Sequence, residues 1–301
     1  MRQSGLLLVA LLVPGALRAQ GACTNATGAA VPFGPVMALA DTGRIYASVM
    51  TPDGSAFYFF RKVGALRSED YRIFRSVRRG DTWGPEQRVD LGGEWSDLYP
   101  SFSPDGRRMV FSSYRPVAGD TSSHPNAHLW MTMREGDGWA APQLLAASRL
   151  GYYHSGLRQD AEGNLTYERA PPDFSRGETL RLHWLGTSYA TEPEVVPDPV
   201  TDYWRGQLGD TAFVWRARVM PDSSALVQVS KVSGRRRLPA IFFVSRRTGA
   251  GWSPLVPAGG GLGEGAPNFL WFSADGCYLH FTRDYSSFWR VPVSVVVAGT
   301  H

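Results

Sequence analysis

A tight acidic turn recurs five times along this chain, and each copy precedes a short apolar run of the kind found in buried strands. The central acids of successive turns lie 52 to 60 residues apart. The five turns are Pro52-Asp53-Gly54, Pro104-Asp105-Gly106, Ala161-Glu162-Gly163, Pro221-Asp222-Ser223 and Ala274-Asp275-Gly276. A repeat of this length, built only from strands and turns, predicts a radial array of small sheets, which is a β-propeller.

Each repeat predicts four antiparallel strands, which we name a to d from the axis outwards. The acidic turn joins strands a and b, because Asp-Gly supplies the positive φ that a hairpin needs. Three repeats carry a Gly-x-x-Trp turn after strand c, ending at Trp83, Trp139 and Trp252. A decayed fourth copy is expected near Tyr189. A proline follows each aromatic residue, which suits the start of an edge strand.

The predicted fold is therefore all-β: a single propeller of five four-stranded blades over residues 34–301, or six if residues 189–211 contain a further strand pair. The last repeat lacks a clear strand d. Gly34-Pro35-Val36-Met37 matches Gly84-Pro85-Glu86-Gln87, which leads into strand d of the first repeat. We therefore expect an N-terminal strand to close the last blade. The alternative is that residues 294–297 close it locally.

The second repeat, Tyr99-Pro100-Ser101-Phe102-Ser103-Pro104-Asp105-Gly106, resembles the Pro-Asp-Gly repeat of TolB-like propellers, also called WD40-like. The resemblance extends over about residues 34–293. The third and fourth repeats depart from it, since Ala161 replaces the proline and Ser223 replaces the glycine. The best-known members have six blades. The resemblance implies a periplasmic module for protein interaction.

The first 19 residues resemble a secretory signal peptide, with an apolar run after Arg2 and a small-residue cleavage site at Ala19. Residues 20–33 would then form an N-terminal extension. Removal of the signal leaves a net charge of +2, which is too small to indicate a nucleic-acid-binding protein. No other run is long enough for a transmembrane segment. We expect a periplasmic or secreted monomer.

The chain has two cysteines, Cys23 and Cys277. An even count in an exported protein predicts a disulfide bond between them. The alternative is a lipoprotein anchor at Cys23. It is less favoured, because Gln20 stands where a lipoprotein signal has an aliphatic residue.

No motif identifies catalytic residues, a metal site or a cofactor. The glycine-rich residues 259–265 are not followed by a helical pattern, as a dinucleotide fingerprint requires. The chain has no Gly-x-Ser-x-Gly elbow, and its six histidines include no pair at metal-ligand spacing.

Strand b of every repeat ends in a basic residue, and these residues are Arg61, Arg115, Arg169, Lys231 and Arg283. Strand direction alternates, so all five lie beside the long b–c and d–a loops, on what we call the variable face. Asp97, Tyr99 and His154 from the same loops join them. Since binding residues favour variable loops on a rigid scaffold, this face is the predicted site for an envelope protein or a small anionic ligand. The simpler interpretation is a set of charges that pair with neighbouring acids.

Two classes of function are compatible with this sequence. The favoured one is an exported, non-enzymatic propeller that binds through its variable face. The alternative is a carbohydrate-active hydrolase, which needs two carboxylates about 5–9.5 Å apart. The candidates by position are Asp41, Asp97, Glu168 and Asp284, and none lies in a recognisable catalytic motif.

Overall fold

The computed structural model describes residues 28–35, 44–63, 70–120, 126–171, 177–220, 222–233, 236–249, 251–262, 267–273 and 276–298. Five antiparallel sheets of four or five strands, one for each repeat, contain most of the strands in these residues, and a further two-stranded sheet lies in blade 4. The prediction of an all-β propeller with five blades is confirmed. The predicted signal peptide and Cys23 lie outside the described residues.

The strands follow the predicted order a to d in every blade. Blade 1 contains Ile45–Met50, Ala56–Lys62, Tyr71–Arg79 and Gln87–Arg88. Blade 2 contains Asp97–Phe102, Arg108–Ser113, His128–Glu135 and Gln143–Leu144. Blade 3 contains Tyr153–Gln159, Leu165–Ala170, Glu178–Leu182 and Glu194–Val195. Blade 4 contains Ala212–Val219, Ala225–Ser233, Ile241–Ser245 and Val256–Pro257. Blade 5 contains Pro267–Phe272, Tyr278–Arg283, Ser287–Pro292 and, from the chain start, Val31–Pro32.

The N-terminal strand closes the last blade, as predicted. Val31 pairs with Arg290 and Pro32 with Trp289, and Phe33 N–H donates to Phe288 O at 2.8 Å. The pairing strand precedes Gly34, whereas in blade 1 strand d follows the matching Gly84-Pro85. The alternative closure by residues 294–297 is wrong, since they lie in a short helix.

Two α-helices interrupt the strand pattern of the described residues. Helix α1 (Pro199–Leu208) and the 3₁₀ turn Gly209–Thr211 lie between blades 3 and 4. They occupy the segment in which a hidden strand pair was possible, so no sixth blade forms there. Helix α2 (Val293–Ala298) follows blade 5. Within the described ranges, no helix has the length and apolar character needed to span a bilayer.

The Gly-x-x-Trp turns are small hairpins that extend strand c. Their extra strands are Thr82–Trp83 in blade 1, Gly138–Trp139 in blade 2, and Arg247–Thr248 with Gly251–Trp252 in blade 4; a separate short strand, Arg236–Arg237, follows strand b of blade 4. In each hairpin an arginine pairs with the tryptophan: Arg78 with Trp83, Arg134 with Trp139 and Arg247 with Trp252. In blade 2 the Arg134 guanidinium lies 5.4 Å from the centre of the Trp139 ring, so this arginine packs on the tryptophan. The decayed copy lies where predicted, as an isolated bridge between Trp184 and Tyr189.

Hydrogen bonds within the acidic turns stabilise them. The Asp53 carboxylate accepts hydrogen bonds from Ser55 N–H and Thr51 Oγ, and Asp105 accepts from Ser103 Oγ at 2.6 Å and Arg107 N–H at 3.0 Å. In blade 3 the equivalent acceptor is Asp160, two residues before the expected Glu162. These local hydrogen bonds give the turn acids a structural role.

Four of the five buried clusters are seams between neighbouring blades. Tyr58 and Met109 join blades 1 and 2, Leu129 and Tyr167 join blades 2 and 3, Phe242 and Phe281 join blades 4 and 5, and Phe59 and Phe288 join blades 5 and 1. In the fifth cluster, Trp204 of α1 packs on Val214 and Val227 of blade 4. Helix α1 therefore packs against a face of blade 4. In the other clusters the corresponding face of a blade contacts the neighbouring blade.

Candidate functional site

The innermost strand of every blade has a bulge near the end that faces the variable loops. The register with strand b shifts between Ile45 and Ser48, and at the equivalent places in strands a of blades 2 to 5. A bulge adds a residue, bends the strand and re-aims a side chain. The repeat therefore presents one extra residue per blade at the same level of the ring.

Four of these bulges carry an aromatic residue, and we call Tyr46, Tyr99, Trp215 and Phe269 the aromatic bulge group. The ring centroid of Phe269 lies 5.7 Å from that of Tyr46 and 6.5 Å from that of Tyr99, so blades 1, 2 and 5 bring their bulge residues together. Tyr285 of blade 5 adds a ring 5.4 Å from Tyr46. Trp215 of blade 4 is 46% exposed.

Two members of this group have unusual backbone geometry. Tyr99 has φ 52° and Phe269 has φ 53°. Bulky residues are uncommon in this left-handed region, which costs roughly 1–3 kcal/mol per residue. Strain of this kind persists where the surrounding structure enforces it, and it concentrates at functional sites.

In blade 3 the bulge residue is Gly156, with φ 64°. Its missing side chain leaves room for Glu168 of strand b, whose carboxylate makes an ion pair with Arg216 on strand a of blade 4. Burial raises the pKa of Tyr99 far above its usual value, and the Glu168 carboxylate adds to that effect. The centre of the ring therefore has an aromatic side from blades 5, 1 and 2 and a charged side from blades 3 and 4.

The basic residues at the ends of strands b lie in different environments. Arg61 pairs with Glu86 at 2.8 Å and Arg169 with Glu178 at 2.9 Å. Arg283 lies over the Trp289 ring at 4.2 Å, and Lys231 is exposed. Arg61 and Arg169 therefore have acidic partners within their own blades, which is what the simpler interpretation of these charges expects.

Arg115 is the most deeply buried of the five. Its guanidinium donates to Leu91 O at 3.0 Å and pairs with Asp97 at 3.2 Å, and both side chains are 7% exposed. Burial raises the pKa of Asp97 to about 6, although Arg115 opposes that shift. The geometry places this pair under the surface, where it holds the loop between blades 1 and 2 against strand b.

His154 is also internal, at 1% exposure. Arg149 N–H donates to its Nε2 at 3.3 Å, which leaves Nδ1–H to donate to Ala127 O at 2.9 Å. Burial lowers its pKa to about 4. The ring is therefore neutral near pH 7 and ties blade 3 to the loop that ends at Ala127.

The carboxylates proposed for a hydrolase lie in different environments. Asp97 and Glu168 each face an arginine, Asp284 is exposed, and Asp41 lies outside the described residues. At Asp97 burial outweighs the effect of Arg115 and raises the pKa to about 6, whereas the Glu168 carboxylate is held by Arg216. These contacts do not identify a pair of catalytic acids.

A second arrangement has the residue types of a nucleophile, a base and an acid. His128 Nε2 lies 2.8 Å from Asp120 Oδ2, and its Nδ1 lies 3.1 Å from Ser148 Oγ. However, Ser148 Oγ also accepts Leu129 N–H at 3.1 Å, and His128 is 1% exposed. These contacts anchor the loop that contains Ser148 to strand c of blade 2. Among the described residues, no cluster of three or more His, Cys, Asp or Glu side chains could hold a metal ion.

The aromatic bulge group as a whole was not predicted from the sequence. A usable signal was present, because each of its members lies six or seven residues before the central acid of the next turn.

Neither a protein-family model nor a curated protein sequence matches the chain. Solved structures that it resembles include a protein described as a putative TolB from Agrobacterium tumefaciens, with 15% identity over 79% of this chain and 69% of that one, at a TM-score of 0.44. A gluconolactonase from Xanthomonas campestris has 13% identity over 82% and 71% of the two chains, at 0.43. Hydrazine synthase from Kuenenia stuttgartiensis has 10% identity over 83% and 76%, at 0.42. Sequence identities and TM-scores this low do not support an inference about activity. The assignment of the propeller fold rests on the sheet topology.

Proposed function

We propose that this protein is an exported, non-enzymatic propeller that binds a segment of an envelope protein at the centre of its variable face. The proposal rests on the aromatic bulge group, because four of five blades place an aromatic residue at one structurally equivalent position. The TolB-like resemblance of the repeats supports the same class of function. Export is inferred from the first 19 residues.

The chemistry of this surface suits a protein partner. Aromatic side chains bury a large apolar area with few rotatable bonds, and tryptophan and tyrosine are enriched at the centres of interfaces. Trp215 keeps nearly half of its surface accessible while its Nε1–H is held by Ser230 Oγ at 2.8 Å. A fixed, exposed tryptophan is well prepared to bind a partner.

The test is a quantitative pull-down from envelope extract with the mature protein as bait. The matched control for Trp215→Ala is Met133→Ala, because Met133 is 43% exposed and lies on strand c towards the opposite face. Loss of a central tryptophan should weaken capture of the partner by about 30-fold, and Met133→Ala should bind normally. Equal capture by both variants, or the absence of any specific partner, would contradict the proposal.

A further inference from the structure

A cavity of about 300 Å³ lies where the inner strands of blades 3, 4 and 5 approach the acidic turns. Three arginines line it: Arg158 from blade 3, and Arg216 and Arg218 from blade 4. Asp198 is the acidic residue of its wall, and Phe272 contributes an apolar side. The positive charges of this lining outnumber the negative ones.

The acids nearby already have partners. Asp198 caps α1, since its carboxylate accepts from Thr201 N–H at 3.0 Å and from Thr201 Oγ at 2.7 Å. Glu168 pairs with Arg216. Within the part of the chain that the structure describes, the guanidinium groups of Arg158 and Arg218 make neither a hydrogen bond nor an ion pair.

Arg158 and Arg218 are each only partly exposed, and a guanidinium that loses part of its hydration is stabilised by an opposite charge or by hydrogen-bond acceptors. Burial lowers the pKa of Arg158 to about 10, and repulsion from Arg216 adds to the shift. Burial also lowers the pKa of Arg218 well below its usual value, with further repulsion from Arg158 and Arg216. Arginine stays protonated in proteins near pH 7, so the cavity holds two cations that have no hydrogen-bonded acid among the described residues.

We propose that this cavity is a binding site for a small, doubly charged oxyanion held between Arg158 and Arg218. Arg216 lines a third side of the cavity. Guanidinium groups match carboxylate and phosphate oxygens through two parallel hydrogen bonds. Two unpaired arginines match an anion of charge −2. The volume lies at the lower end of the range for ligand sites, which suits a dicarboxylate or a phosphate.

Isothermal titration of the mature protein at constant ionic strength tests this site, with inorganic phosphate in one arm and succinate in the other. At least one anion should bind with 1:1 stoichiometry, and the stronger one identifies the source of the oxyanion. Arg158→Gln and Arg218→Gln should each weaken binding by about tenfold or more, because each removes charge-assisted hydrogen bonds. Arg107→Gln is the matched control, since Arg107 is an exposed turn residue of blade 2.

A second readout separates a binding role from a structural one. Without ligand, Arg218→Gln should unfold at a higher temperature than the unmodified protein, because it removes an unpaired charge; the anion should then raise its melting temperature less. Arg218→Lys keeps the charge and loses the two-pronged geometry, so it should fold and bind weakly. The proposal is overturned if neither anion binds the unmodified protein, or if the Arg158 and Arg218 variants bind as Arg107→Gln does.

Discussion

The side chain of Glu168 fills the space that a side chain on Gly156 would need. A Cβ atom at position 156 would lie 3.1 Å from Glu168 Cδ and 3.2 Å from its Oε1. The glycine in the third bulge and the ion pair between Glu168 and Arg216 therefore depend on each other. Where the other four blades place an aromatic ring, blade 3 places a carboxylate from its second strand.

Gly156→Ala should lower the free energy of unfolding more than a glycine substitution with the same backbone geometry. Gly80 has φ 61°, and a Cβ atom there would have no neighbour within 4 Å, so Gly80→Ala should cost about 1 kcal/mol from backbone strain alone. Gly156→Ala should cost roughly 1–3 kcal/mol more, because Glu168 or the backbone must move. Urea denaturation measures both, and the extra cost should vanish in a Glu168→Ala background. Persistence of that cost would contradict this dependence.

The ion pairs at the ends of strands b should differ in strength according to their burial. Arg115→Ala leaves Asp97 buried without its cation and should cost about 3–5 kcal/mol. Arg61→Ala removes the equivalent pair of blade 1, whose side chains are 23% and 29% exposed, and should cost about 1 kcal/mol or less. Equal losses in urea denaturation would show that Arg115 does not have a structural role. For the same reason Arg115→Ala is unsuitable as a binding variant.

Acid should destabilise the protein through His154. The pKa is about 4 in the folded state, and about 6.5 is the usual value when unfolded. Between these values the unfolded chain binds the proton and the folded protein does not, so stability falls as pH decreases from 6.5 to 4. The loss should approach about 3 kcal/mol.

Two variants isolate this effect in thermal unfolding measured from pH 7 to pH 4. His154→Gln should unfold more easily at neutral pH and lose less stability on acidification. His183→Gln, which changes a histidine that is 51% exposed, should keep the original slope. Asp97 acts in the opposite direction, because its raised pKa of about 6 makes protonation favour the folded state below that pH. Identical slopes in the two variants would contradict the assignment to His154.

The mature protein should begin near Gln20 and contain a Cys23–Cys277 disulfide. Cys277 is buried beside strand b of blade 5, and the strand Val31–Pro32 brings the chain start to that same blade. Denatured protein should react with a thiol reagent only after reduction. Reduction should lower stability by about 5 kcal/mol in the chain-entropy description of so long a loop. An acylated Cys23 or two reactive thiols would contradict this prediction.

The blades were predictable because their signals are local. Asp-Gly turns, prolines before edge strands and the Gly-x-x-Trp hairpins each fix a short piece of backbone, and their spacing sets the number of blades. Helix α1 also had a local signal. Asp198 and Pro199 form a helix start, and Val200, Trp204 and Leu208 give an apolar stripe at four-residue spacing.

The arrangement at the centre of the ring was not predictable from these patterns. The bulges move residues such as Tyr99 and Trp215 relative to strand b, and strand alternation alone does not reveal a register shift. The grouping of Arg158 with Arg218 depends on how two inner strands from different repeats face one another. Such contacts follow from packing between blades, which one repeat considered alone does not contain.

The pairing of Val31 with Arg290 joins positions more than 250 residues apart. The ribosome synthesises Val31 long before Arg290, so the N-terminal strand has its pairing partner only when almost the whole described chain has been made. Closure of the ring therefore requires the chain up to residue 290, and any truncation before that residue leaves the N-terminal strand without its neighbour in blade 5. A chain shortened at either end would lose the same strand pairing. The two termini therefore act together to close the ring.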